Sequence, residues 1–127
     1  MTDWKETKRL ILEDNPTCQV VMVVKGRQMK CLNRAEDLDH CLIRRNKRFG
    51  IWLDKQIWNY QPSCANCNRH SHATDAPTNR RRWLEHQVKV YGLDVIKDAL
   101  IFAPPKMQVF NTDYQEVVKW IKEIENE

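Results

Sequence analysis

Long apolar runs are missing from this chain of 127 residues. The opening, "MTDWKETKRLILED", offers only Leu10, Ile11 and Leu12 in a row, against the ~7–15 apolar residues of a secretory signal. No other stretch approaches the ~20 needed to cross a bilayer. A soluble, intracellular protein of the cytoplasm, with no membrane partner, is therefore expected. An even set of cysteines is missing too. Five cysteines, two of them in Cys64-x-x-Cys67, suit metal ligation in a reducing compartment better than a disulfide framework. Internal repeats, low-complexity tracts and flexible linkers are absent, and the length suffices for about one domain with its own core.

Acidic charge is scarce in the middle of the chain. Between Lys25 and Lys89, 14 Lys and Arg face 6 Asp and Glu, a net +8, which leaves −4 for the flanks of a chain whose formal total is +4. A basic middle points to a polyanionic partner, nucleic acid first among them.

Turn and cap signals divide the chain. Thr2 or Asp3 can cap a helix over residues 3–14 with Trp4, Leu10, Ile11 and Leu12 on its apolar face, ended by Pro16. "CQVVMVV" (18–24), the turn "KGRQ" and "MKCL" (29–32) predict an amino-terminal hairpin. "DLDHCLI" (37–43) alternates like a strand, and "IWLDKQIWNYQP" (51–62) predicts a bend and then a short strand stopped by Pro62. A short helix is expected over 65–73. Pro77 opens and Gly92 closes the next helix, residues 93–102 form another, "APPK" breaks it, and Thr112 with Gln115 forms a capping box for a final helix through residue 126.

The chemistry lies in one ordered constellation: Asp39-His40, then Asn59, then Cys64-x-x-Cys67 followed directly by Asn68. A strand ending in Asp-His, a loop closed by Asn and a helix introduced by the Cys pair would gather Asp39, His40 and Asn68 on one side of a ββα unit. A hard cation such as Mg²⁺ prefers oxygen ligands, which Asp39 and Asn68 supply. His40, whose ordinary pKa is ~6.5, can take a proton from water at neutral pH. "RRNKR" (Arg44, Arg45, Lys47, Arg48), Arg69 and Arg80, Arg81 and Arg82 flank these residues, and they suit phosphate contacts. Taken singly, such charge runs are solvated faces and such a histidine is a surface or satisfied one; the order lifts them above that. His70, His72 and His86 are read as surface residues, and Trp52, Trp58, Trp83 and Trp120 as core.

"LDHCLIRRNKRFGIWLDKQIWNYQPSCANCN" resembles the HNH, or His-Me finger, nucleases of the H-N-N type, and among them the phage recombination nucleases of the endonuclease VII and lambda NinG (Rap) type. The likeness covers about residues 29–100, continuing more weakly through "NRRRWLEHQVKVYGLDVIKDAL". It implies an α+β fold with a ββα-metal core, a zinc knuckle, the hairpin and the flanking helices 3–14 and 112–126. It further implies a Mg²⁺- or Mn²⁺-dependent DNA endonuclease that leaves 5′-phosphate and 3′-hydroxyl ends. His40 would be the general base, Asp39 and Asn68 the metal ligands, and Asn59 the residue fixing the loop. Branched DNA is the implied substrate, a phage or prophage the implied source, and a homodimer the implied assembly. The competing expectations are a zinc-knuckle module that binds DNA without cutting it, and an HNH nuclease acting on ordinary duplex.

The family's second Cys-x-x-Cys, upstream of the Asp-His strand, is missing here. Cys18 and Cys31 stand in that region instead, so the expected structural Zn²⁺ set is Cys18, Cys31, Cys64 and Cys67, closed and tetrahedral. Cys41, next to His40 on a strand, points to the opposite face.

Overall fold

The structure is a computed structural model that describes residues 4–69 and 76–127, with side chains for 5–67 and 76–127. Its class is α+β, with two small two-stranded sheets and seven α-helices among the described residues. No described helix is long and apolar enough to cross a membrane. Two compact units divide the chain discontinuously: residues 1–39 with 61–82, and residues 40–60 with 83–127.

In the first unit, helix α1 (Trp4–Asp14) closes where Asn15 donates from its backbone and side chain to the Ile11 carbonyl, and Pro16 follows. Strands β1 (Val21–Val24) and β2 (Arg27–Lys30) pair antiparallel, with Val21 opposite Lys30 and Val24 opposite Arg27. The two-residue turn needs positive φ at both positions. Lys25 adopts 50° and Gly26 78°.

The same unit holds a buried amide lattice. The Oδ1 of Asn79 accepts from Val21 N and from Gln61 Nε2, its Nδ2 donates to Gln61 Oε1, and Gln61 Nε2 also donates to the Gln19 carbonyl. Asn79 and Gln61 are fully buried, so these bonds are what make their burial tolerable.

Strand β3 (Asp37–His40) pairs with β4 (Tyr60–Ser63). Pro62 lies inside β4 rather than stopping it. A proline lacks the N–H for a ladder bond but not the carbonyl, and its carbonyl accepts from Gln19 N at 2.9 Å. Helix α3 (Ala65–Arg69) follows the strand.

The second unit is built on a larger apolar core that includes Leu42, Ile43, Leu53, Trp58, Leu84, Ile96, Met107, Val117 and Ile121. Segment 51–54, expected as a bend, is helical within α2 (Gly50–Asp54). A 3₁₀ turn (Ile57–Asn59) leads to β4. Helix α4 (Pro77–Tyr91) ends at Gly92, whose φ of 95° permits the turn into α5 (Leu93–Ile101). Trp83 Nε1 donates to the Tyr60 carbonyl and Gln87 Nε2 to the Trp58 carbonyl, fixing this stretch of α4 to the turn.

"APPK" does not simply break the chain, because Pro105 is the first residue of a further helix, α6 (Pro105–Phe110), where a missing N–H costs nothing. Helix α7 (Thr112–Glu125) is capped by Asn111, not Thr112: the Asn111 Oδ1 accepts from Tyr114 N at 2.8 Å. Trp58 and Trp83 are buried, while Trp52 and Trp120 pack on the core partly exposed.

Candidate metal centre and histidine site

The hairpin of the first unit brings Cys18 and Cys31 together at its base. Cys18 N donates to the Asn33 carbonyl at 2.7 Å, and Cys31 N to the Val20 carbonyl at 2.9 Å. The residue between β4 and α3 is Cys64, and the first turn of α3 supplies Cys67. All four thiols are buried, and their sulfurs lie within 4.8 Å of one another.

That spacing decides what the cluster can hold. A disulfide needs ~2.05 Å between sulfurs, whereas Cys31 Sγ and Cys64 Sγ stand 3.9 Å apart. No cysteine is in a disulfide. A tetrahedral zinc site with bonds of ~2.3 Å has sulfur–sulfur edges of about 3.8 Å. Four thiols at nearly that spacing, with no open position, could hold a structural zinc ion.

The surroundings favour thiolate at Cys64. Cys67 N donates to Cys64 Sγ at 3.4 Å and Asn33 Nδ2 to the same sulfur at 3.8 Å. Burial pushes the Cys64 thiol up, but the bonds from Cys67 and Asn33 outweigh it and bring it down to about 7. Cys18 is pushed up to about 11, mainly by burial, and burial also raises Cys67. A buried set that holds protons without an ion is a set whose ionisation awaits a cation. Cys41 lies instead in the apolar core of the second unit.

In the second unit, His40 is mostly buried, its side chain 15% exposed. Its Nε2 lies 3.2 Å from Asp54 Oδ1, and its ring meets Tyr60 edge-on at 4.6 Å. The other Asp54 oxygen is 3.7 Å from the Arg45 guanidinium. Burial lowers the His40 pKa below 6.5 and Arg45 lowers it further, against the raising effect of Asp54. Neutral imidazole is therefore the resting form at neutral pH.

Asn59 is fully buried and ties down the segment after β3. Its Oδ1 accepts from Leu42 N at 3.1 Å and Ile43 N at 2.8 Å, while Nδ2 donates to the Ile43 carbonyl at 2.9 Å. Asp39 is half-buried on β3. Asn68 belongs to α3, but its side chain and that of Arg69 lie outside the described residues, as do His70 and His72.

The basic residues have separate fates. Arg44 is bound to Asp113 through its backbone N and both arms of its guanidinium, at 3.0–3.1 Å. Arg80 is buried, and in that position its role is internal. Arg82 donates to Gln28 at 2.9 Å. Lys47 and Arg48 are exposed, Arg48 lying over the Phe49 ring, and Arg81 is half-buried. His86 is exposed and stacks on Trp83. Sequence reasoning passed over Asp54, Asn33 and the Asn79–Gln61 pair. Each is a common polar residue whose partner is distant in sequence, so no spacing marks it. Comparison with protein-family models, curated proteins and solved structures finds no match to this chain.

Proposed function

We propose that this protein is a DNA endonuclease of the His-Me finger class, stabilised by a structural zinc ion and dependent on Mg²⁺ or Mn²⁺. One observation carries the proposal: Asp39-His40 ends β3, buried Asn59 ends the 3₁₀ turn before β4, and Cys64 and Cys67 of the four-cysteine cluster lead directly to Asn68 on α3, in that order. That order supports the reading as a ββα-metal core.

His40 is the general base. With Nε2 turned to Asp54, Nδ1 is the nitrogen that takes a proton from the attacking water. Asp54 fixes the ring and steadies the imidazolium that forms. Asn59 holds the backbone of Leu42 and Ile43, so the chain after His40 keeps its course during turnover. A divalent cation on the oxygens of Asp39 and Asn68 would offset negative charge building on the scissile phosphate and leaving oxygen. Lys47, Arg48 and Arg81, with Arg69, are the candidates for gripping the backbone.

The substrate proposed is branched DNA of recombination or replication, in a phage or prophage setting, with a homodimer making paired nicks. The test sets a labelled four-way junction beside a linear duplex of the same sequence, with Mg²⁺, Mn²⁺ or EDTA. Cation-dependent cutting of the junction alone is expected. Cutting of both substrates keeps the chemistry and removes the branch specificity, whereas binding with no cutting assigns a zinc-knuckle binding module instead.

A further inference from the structure

We propose that the β1–β2 hairpin is a DNA-docking ribbon that lies in the major groove of duplex DNA and is held in shape by the four-cysteine centre at its base. The inference rests on the nucleic-acid part of the function proposed above and names the element that makes the contact.

Charge is the first ground. Residues 15–35 contain Lys25, Arg27, Lys30 and Arg34 and not one Asp or Glu, although acidic residues bracket them at Asp14 and Glu36. Arg82 adds a further cation alongside, bonded to Gln28 of β2. Lysine on a sheet edge also deters strand pairing, which accounts for Lys25 and Lys30. It does not account for Arg27, Arg34 or the lack of any acidic residue across 15–35, and a polyanion does.

Exposure is the second. Every residue of β2 is exposed, and Val23 and Met29 each keep more than half of their surface in water. A Cβ placed on Gly26 at the turn meets nothing within 4 Å. Met22 is the ribbon residue that packs on the cysteine cluster. An isolated two-stranded ribbon is marginal in water, so this one depends on its root. There the root is strong: Cys18 and Cys31 lie in the metal cluster, and Val21 N donates to buried Asn79.

Size is the third. Paired strands are ~4.8 Å apart, and the B-form major groove, about 12 Å wide, admits a two-stranded ribbon. The major groove of A-form RNA is too deep and narrow for one. Lysine and arginine at the turn and along β2 can meet phosphates on the groove walls, while Val23, paired with Gln28 on the face turned away from Met22, reaches apolar base edges such as thymine methyls.

The test compares wild type, the hairpin variant Lys25→Gln/Arg27→Gln/Lys30→Gln, and a control of equal charge change, Lys89→Gln/Lys106→Gln/Lys119→Gln, for affinity to a labelled DNA duplex. Bound zinc and thermal unfolding report that each folds. Loss of three phosphate contacts should flatten the slope of log affinity against log salt by about 2.7. Wild type should then lose about 40-fold more affinity than the hairpin variant between 0.05 and 0.2 M salt, with the control close to wild type and duplex RNA bound more weakly than DNA. A hairpin variant with the wild-type slope, a control equally impaired, or duplex RNA bound as tightly as DNA would each overturn the ribbon while leaving the nuclease proposal standing. Wild type that binds no DNA overturns both.

Discussion

Removing the metal from the four-cysteine centre should unfold one unit and spare the other. The buried apolar cluster of the first unit consists of Cys18, Cys31, Cys64, Cys67 and Val20, with Met22 packed against it. Burying one valine is worth about 1.5–3 kcal/mol. A structural zinc site contributes about 10–16 kcal/mol of apparent binding free energy at neutral pH, comparable with the whole stability of a domain, about 5–15 kcal/mol. The second unit, with fourteen buried core residues, has no such dependence. The assay is zinc stoichiometry by elemental analysis, followed by amide hydrogen exchange with and without chelator. One zinc per chain is expected, and chelation should erase protection over residues 17–35 and 60–67 while α5 and α7 keep theirs. Cys31→Ser should reproduce the chelated state. Zinc-free protein with protection intact in the hairpin would refute the reasoning.

Three other outcomes follow from the same geometry. Asn59→Ala strands two buried N–H groups and a carbonyl of the Leu42–Ile43 segment, so urea titration should show a loss of about 3–6 kcal/mol. Asp113→Ala removes three bonds to half-exposed Arg44 and should cost about 1–3 kcal/mol, with DNA affinity little changed. His40 has a folded pKa below 6.5 because of burial; its neutral form is favoured by folding, so its contribution is present above pH 6.5 and lost as pH falls through the folded value. The acid limb of cleavage should therefore have its midpoint below 6.5, shifting lower in Asp54→Asn and higher in Arg45→Gln.

What could be read from the chain depended on how local its cause was. The hairpin was legible because Gly26 and the flanking apolar runs are contiguous, and it explains how Cys18 and Cys31, thirteen positions apart, come to share one buried cluster with Cys64 and Cys67. The helices ending at Pro16 and Gly92 carry their own stop signals. Helix α6 was missed because Pro104 and Pro105 break a preceding helix and also open a following one, and the sequence around them does not say which. The cap at Asn111 and not Thr112 is a choice between adjacent residues that only the Tyr114 N–H decides. Asp54 beside His40, and Gln61 beside Asn79, are meetings made by tertiary packing, fourteen and eighteen positions apart, with no periodicity to announce them. Arg44 and Arg80 look like the other basic residues in the sequence, yet one is committed to Asp113 and the other is buried.

The most direct test of the central claim is nicking of an end-labelled branched DNA by zinc-loaded wild type and His40→Ala, each in Mg²⁺ and in EDTA, with binding measured in parallel. Cation-dependent nicking by wild type, lost in His40→Ala while DNA affinity and zinc content stay the same, is the result predicted. Equal nicking by the variant, or binding by wild type without any nicking, would contradict it.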